Sequence, residues 1–464
     1  MASFQRSVTE LLPAELWIKI FEDVILPPAN QRSAILHIWA EISLTCRTFR
    51  SYLLPMIYEG FFFHSFILSA PSGFIQRSMP SIETIEREAD RLAFYLSDRI
   101  VGYVHGICCT GWQLDQAEPT TVPHAYDKDY LSSQLFDSVH KFRNLTILSC
   151  VCIDFDSSTI QKLSQLPNLE GFYVNNCNLQ LTPLDTPLHL NLKNFCVNHA
   201  GMLQVAGLGG HGIEHWLGLL DADRLTWLFI ADVLASAPFL HHISSTRTFT
   251  SLNDLHIYIT SSTIPYMQCL LSKSPNLRTL DITMPEAPLP DEAIRLCEGL
   301  EAFHAPPMPF LKELQGPPEL LHAILSQKLP QNTSQYIQLE QLRITSIWKE
   351  GLAFEAIWNR ISSPTWSIWF EHLTHFTTKF QFIEQSYFPK LLNLFPNLQA
   401  LALEAANELS QAKVTHGTFL DDICLYSLSS NLRSLSIDWS SDKDEDLITR
   451  HHAAKINLFN SFHC

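Results

Sequence analysis

Basic residues are scarce in this sequence. Thirty-one lysines and arginines stand against 47 aspartates and glutamates, a formal net charge of −16. No run of Lys or Arg interrupts that balance, so the chain lacks the surface that neutralises phosphates, and nucleic acid is not an expected partner. Long apolar runs are missing as well. No stretch approaches the about 20 uninterrupted apolar residues of a membrane-spanning helix, so no membrane is expected. The start, "MASFQRSVTELLPAELW", has no basic segment leading into an apolar one, so a secreted chain is not expected either. The 11 cysteines are scattered, with Cys108/Cys109 and Cys150/Cys152 as close neighbours and no two Cys-x-x-Cys elements at zinc spacing. That usage fits reduced thiols and a cytoplasmic or nuclear location. Neither a G-x-S-x-G elbow nor a Walker loop occurs, and no metal, cofactor or catalytic group is expected.

What is present is a folded composition, 46% apolar and 17% charged. At 464 residues the chain either divides into domains or forms a repeat array that never closes on one core. Repetition decides between these. "LPNLEGFYVNNCNL" at 166–179 is echoed by "SPNLRTLDITM" at 274–284 and "FPNLQALALEA" at 395–405. Leu169, Phe172, Val174, Cys177 and Leu179 spell L-x-x-L-x-L-x-x-C-x-L, the pattern of a leucine-rich repeat. Residues two apart on a strand point the same way, so the second and third apolar positions anchor one short strand. The outer two turn into the same core from flanking loops, and the Cys position can hydrogen-bond a backbone that has left the ladder.

Clear units begin at Leu145, Leu169, Leu192, Leu225, Leu252, Leu277, Leu339, Leu398 and Leu432; weaker ones begin at Val104, Leu300 and Leu373. "SSTIQKLSQL" (157–166) and "IPYMQCLLSKS" (264–274) carry helical spacing between units. The predicted fold is α/β: an irregular leucine-rich-repeat solenoid over 61–440, with a curved parallel sheet and outer helices. "APPMPFLKELQGPP" (305–318) reads as a Pro-rich surface connection, and 441–464 as an acidic, helical tail.

Residues 1–60 do not fit the repeat. "LLPAELWIKIFEDVILPP" places Pro13 in a first helical turn and Leu16, Ile20 and Val24 along one face, and Pro27-Pro28 stops it. A second helical stretch, "SAILHIWAEISLTCRTFRSYLLP", carries Ile35, Ile38, Ile42 and Phe49 on a related face. Leu12, Pro13, Glu15, Leu16, Ile20 and Phe21 fall on the L-P-x-E-[LI]-x-x-x-I-[FL] opening of an F-box. Ser43, Leu44, Cys46, Arg47 and Phe49 fall on its Ser-Leu-x-Cys-[RK]-x-[WF] half, with Phe49 where tryptophan is more usual. The module therefore resembles an F-box, and the whole chain resembles fungal F-box proteins with leucine-rich repeats. That resemblance implies a substrate-recognition subunit of a Skp–cullin–F-box ubiquitin ligase that does no covalent chemistry. Leu12, Pro13, Leu16, Ile20, Phe21 and Leu44 would contact a Skp-type adaptor and through it the cullin. The repeats would hold a protein substrate, with a leucine-rich interaction scaffold outside any ligase as the alternative.

On a strand of the repeat, the residues flanking the inward pair point away from the core. That singles out Tyr173, Asn175, Trp227, Phe229, His256 and Tyr258, continued by Asp281, Arg343, Lys379 and Asp438. Tyr173, Trp227, Phe229, His256, Tyr258 and Arg343 are the candidate substrate contacts, because aromatic and arginine anchors carry interface energy. A rival lies in 207–232. Gly207, Gly209 and Gly212 form G-x-G-x-x-G ahead of Asp232, and His211, Glu214 and His215 form H-x-x-E-H. These would suit a dinucleotide enzyme or a zinc hydrolase. Gly212 inside the zinc helix costs about 1 kcal/mol, and no second βαβ unit follows, so a glycine-rich loop between repeats is the simpler reading.

Overall fold

The computed structural model describes residues 32–64, 67–69, 76–78, 82–111, 130–175, 177–180, 189–198, 218–230, 248–283, 308–325, 339–345, 368–380, 387–405, 431–439 and 454–457, with isolated positions elsewhere, Pro13, Leu16 and Trp17 among them. The chain divides into two units, Met1–Leu192 and Lys193–Cys464.

In the first unit, helices α1 (Arg32–Ser43) and α2 (Arg47–Tyr58) precede strand β1 (Gly60–His64). The sequence reading ran α1 and α2 together as one helix, and the structure breaks it at 44–46. Ser43 Oγ donates to the Ala40 carbonyl at 2.6 Å and Thr45 Oγ1 to that of Ile42 at 2.7 Å. Such hydroxyls compete with the helical ladder. Cys46 then caps the new helix, its Sγ accepting from the Phe49 amide at 3.4 Å.

Strands β2 (Ile67–Ser69) and β3 (Gln76–Ser78) pair antiparallel. Helix α3 (Ile82–Tyr95) packs on β1, the Phe61 and Tyr95 rings stacking at 4.0 Å. Strands β4 (Gly106–Thr110), β5 (Ile147–Val151) and β7 (Gly171–Asn175) extend β1 in parallel, in the register Phe62, Cys108, Ser149, Tyr173. Helix α4 (Tyr130–Ser138) lies between β4 and β5 in the chain, and α5 (Ser157–Ser164) between β5 and β7. Past the main strands, β6 (Asp154–Asp156) and β8 (Asn178–Gln180) form a short parallel pair.

The second unit repeats the strand more often. Strands β9 (Asn194–Asn198), β10 (Trp227–Ile230), β11 (Asp254–Tyr258), β12 (Thr279–Thr283), β13 (Glu313–Gly316), β14 (Gln341–Ile344), β15 (His375–Phe380), β16 (Ala400–Ala405) and β17 (Ser434–Trp439) run parallel, each paired with the next. Helices α6 (Ile264–Ser272), α7 (Pro318–Leu325) and α8 (Tyr387–Leu394) stand between strands in the chain. All-parallel pairing with helical returns is what the strand-turn-helix repeat dictates. The fold is that of an α/β leucine-rich-repeat solenoid. Residues 454–457, read from sequence as part of a helical tail, instead form β18 (Ala454–Asn457), antiparallel to β17 with Ile456 opposite Leu435. Such a strand pairs the amides and carbonyls that the last repeat would otherwise present as an open edge.

Alternation along each strand sorts the side chains. Leu148, Phe172, Phe195, Leu228, Leu255, Leu280 and Leu342 are buried, as are Cys150, Val174, Val197, Ile230, Ile257, Ile282 and Ile344 behind them. The flanking loop leucines, among them Leu145, Leu169, Leu225, Leu252, Leu277 and Leu398, enter the same cores. One repeat eluded the sequence reading. Leu311 and Leu314 are buried and Glu313–Gly316 forms β13, so the supposed Pro-rich connection carries a full unit. Glycine replaces the last apolar residue there; a Cβ on Gly316 would meet Ile282 Cβ and Leu321 Cδ2, each at 3.6 Å. The weaker unit read from Leu300 has Phe303 buried, while Leu300 and Ala305 lie outside the described residues.

The repeated Pro-Asn-Leu now has a physical cause. Asn168 Nδ2 donates to the Arg143 carbonyl at 2.9 Å, Asn276 to that of Thr250 at 2.7 Å and Asn397 to that of Glu371 at 2.7 Å. Asn144 and Asn431, at the same point of their own units, bond Gly102 and Pro396. Each asparagine ties the turn before its strand to the equivalent turn one repeat earlier, while the following leucine enters the core. Asn276→Ala should lower the urea-unfolding free energy by about 1 kcal/mol without changing the circular dichroism spectrum. A change in the spectrum would show that the amide shapes the repeat rather than tying two turns together.

The Cys position also acts as expected. Cys177 Sγ donates to the Cys150 and Asn175 carbonyls, each at 3.3 Å. Burial pushes its thiol up to about 12 and raises those of Cys109 and Cys150 well above the usual thiol range. Cysteines 46, 108, 109, 150, 152, 177, 196 and 269 are all free thiols. Among the described residues no helix is long and apolar enough to cross a membrane.

Candidate protein-binding surfaces

Two surfaces present side chains beyond what the core uses. The first is on the helical module. The Leu16 and Trp17 amides donate to the Pro13 carbonyl at 3.1 and 3.3 Å, the opening turn of a helix. Trp17 meets Phe49 of α2 edge-on, centroids 4.9 Å apart, which fixes that turn against the second helix. Around this joint, apolar side chains remain in solvent: Leu16 is 46% exposed, Ile38 is 45% exposed and Leu44, in the turn between α1 and α2, is 78% exposed. Pro13 is exposed beside them. Leu12, Ile20 and Phe21, also expected to contact an adaptor, lie outside the described residues.

The second surface is the face of the sheet turned away from the core. In the first unit Tyr173 is half-buried, its ring leaning over Gly171, where an added Cβ would come within 3.2 Å of Tyr173 Cε2. Phe62 and Ile147 are exposed on the same face.

In the second unit the expected aromatics come together. Trp227 and Phe229, two apart on β10, stack with centroids 5.7 Å apart and planes 10° off parallel. His256 lies opposite Phe229 on β11, its ring 5.5 Å from Phe229 and 5.9 Å from Trp227. On the next strand Asp281 is opposite His256 and accepts from its Nδ1 at 3.0 Å. A carboxylate oxygen only accepts, so Nδ1 carries the proton. The other carboxylate oxygen, Oδ1, is shielded from solvent and has no hydrogen-bond partner among the described residues. Tyr258 is half-buried two positions beyond His256, opposite Thr283.

Sequence reasoning missed Asp254. It occupies on β11 the position Trp227 occupies on β10, and the two are register partners. The same L-x-x-L-x-L frame that named Trp227 would have found it. Cys196, beside Phe229 on β9, completes the patch; burial holds its thiol up at about 11, so it stays un-ionised.

Arg343 is exposed in the same rung as Asp281, separated from it by Gln315. Lys379 and Asp438, also read from sequence as outward, stand at alternating positions in a neighbouring rung. Arg343 is opposite Thr377, and Lys379 aligns with Glu404 and Asp438 one rung further along the strands.

The stretch 207–215, with its glycine and H-x-x-E-H patterns, lies outside the described residues; Trp216, directly after it, is buried against Phe195. Among the described residues no three His, Cys, Asp or Glu side chains gather as a metal ion would require.

No protein-family model matches the chain, and no curated protein matches it. Among solved structures it is similar to one described as the crystal structure of the Rad7 and Elc1 complex in yeast, at 14% identity, covering 67% of this chain and 72% of that one with a TM-score of 0.34.

Proposed function

We propose that this chain is a substrate receptor of a Skp–cullin–F-box ubiquitin ligase. Residues 1–60 form the adaptor-binding module, 61–440 the array that holds a protein substrate, and 441–464 a terminal tail. The observation that carries the reading is the solvent-facing set Leu16, Ile38 and Leu44 on a helical module braced by Trp17 and Phe49. A small module that leaves such side chains in water has a surface suited to packing against partner helices, and two of the three, Leu16 and Leu44, fall on the F-box pattern. Pro13, Leu16 and Leu44 contact the Skp-type adaptor, joined by Leu12, Ile20 and Phe21. Tyr173, Trp227, Phe229, His256, Tyr258 and Arg343 face the substrate. The chain itself makes and breaks no covalent bond.

The test is co-expression with the Skp-type adaptor of the source organism, followed by size exclusion. A one-to-one complex is expected. Leu16→Asp with Leu44→Asp should abolish it without changing the circular dichroism spectrum, since both side chains already face solvent. A folded wild type that elutes apart from adaptor would leave a leucine-rich interaction scaffold without ligase association.

A further inference from the structure

We infer that the outward face of β10 and β11 is a recognition site for an arginine side chain on an extended segment of a partner protein. This deepens the receptor reading above by giving its substrate face a chemistry. Three observations carry it.

The first is the shelf itself. The near-parallel Trp227 and Phe229 rings are 5.7 Å apart, too close to admit a third plane between them, so a flat group must lie on an outer face of the pair. Indole and phenyl faces carry negative electrostatic potential and attract a cation placed over them.

The second is charge. At the outward positions of β9, β10, β11 and β12 stand Asn194, Cys196, Asn198, Trp227, Phe229, Asp254, His256, Tyr258, Thr279, Asp281 and Thr283. Asp254 and Asp281 are the carboxylates in that set, and it contains no lysine or arginine. Among the described residues, Lys193 and Arg278 are exposed one position ahead of β9 and β12, outside this set. The whole chain is acidic at −16, so its long-range field favours a basic partner.

The third is geometry. Asp254 is directly across from Trp227, at the spacing of adjacent strands, about 4.8 Å. A plane and a carboxylate edge side by side match the two faculties of a guanidinium, which stacks by its face and donates in a fork from its rim. An ammonium offers only the point charge. Asp281 adds negative potential behind His256, with one oxygen that accepts nothing from the described residues. Protein segments that lie along such strands are extended, so alternate side chains of the partner face the sheet.

The probes are three fluorescein-labelled peptides, Gly-Ser-Arg-Gly-Arg-Ser-Gly and its lysine and citrulline counterparts, titrated into the full-length chain by fluorescence anisotropy. The arginine peptide should bind at least about tenfold more tightly than the citrulline peptide, which keeps the plane and loses the charge, and more tightly than the lysine peptide. Trp227→Ala and Asp254→Asn should each weaken it about tenfold, while Gln341→Ala, outward but three strands beyond β11, should leave it unchanged. Asp254→Asn preserves shape, which guards against loss of binding through misfolding. Equal binding of the arginine and citrulline peptides, or undiminished binding to the two variants, would overturn the inference; so would a lysine peptide as tight as the arginine one. No adaptor is present in this titration, so its failure leaves the adaptor complex standing, and loss of that complex leaves this site standing.

Discussion

Gly111→Ala should be among the most damaging single-methyl substitutions in the chain. Gly111 follows β4 at the point where the first-unit strands give way to turns, and its amide donates to the Val151 carbonyl at 2.7 Å. A Cβ there would overlap the Cys152 carbonyl oxygen and approach Ile153 Cγ1 to 2.9 Å. The obstacle is backbone, and that backbone is committed. Cys152 holds a left-handed conformation, φ 55°, and its amide donates to the Asn175 carbonyl at 2.8 Å. Moving it aside breaks a bond to the next repeat and disturbs Cys177, whose thiol binds the same Asn175 carbonyl. Overpacking of this kind costs about 1–3 kcal/mol, and the loss of linked turns places the expected value at the upper end. Urea unfolding monitored by circular dichroism checks it: a lowered midpoint with unchanged slope is expected, and an unaltered midpoint would mean the turn is softer than its bonds imply.

Leu228→Ala and Trp227→Ala form the second test, because adjacent residues of β10 face opposite ways. Leu228 is fully buried, and truncating such a leucine costs about 2–5 kcal/mol once the cavity is counted. In an array where each repeat rests on its neighbours, the loss should also reduce the cooperativity of unfolding. Trp227 is larger but stands half-buried on the outward face with Phe229 as its ring partner, a pairing of about 0.5–1.5 kcal/mol, so its removal should cost less than that of Leu228. Comparable losses for both would contradict the inward and outward assignment on which the substrate face depends.

Much of the array was legible because one pattern specifies two things at once. The spacings Leu225, Leu228, Ile230 and Leu252, Leu255, Ile257 each name a strand and also fix which side of it meets the core, so Trp227, Phe229 and His256 are placed outward by the sequence itself. The pattern failed where a residue broke chemical type without breaking geometry. Gly316 carries no side chain, so the β13 repeat looked like a connection. Register was the other blind spot. His256 and Asp281 were both read as outward, but that they bond depends on their strands pairing in step, which residue spacing within a repeat does not state. In the helical module, apolar periodicity carried through Ser43, Leu44 and Thr45, whereas hydroxyls bonding back to carbonyls end α1 there and leave Leu44 in solvent.

The central claim is that the exposed leucines of the front module exist for a partner. It is tested most directly by isothermal titration of purified full-length chain with purified Skp-type adaptor, in parallel for the wild type, the Leu16→Asp/Leu44→Asp variant and the Trp227→Ala variant. The account predicts one-to-one binding that the first variant loses by at least about a hundredfold and the second retains unchanged. Absence of heat and binding for a folded wild type, or equal affinity for the wild type and the Leu16→Asp/Leu44→Asp variant, would contradict it.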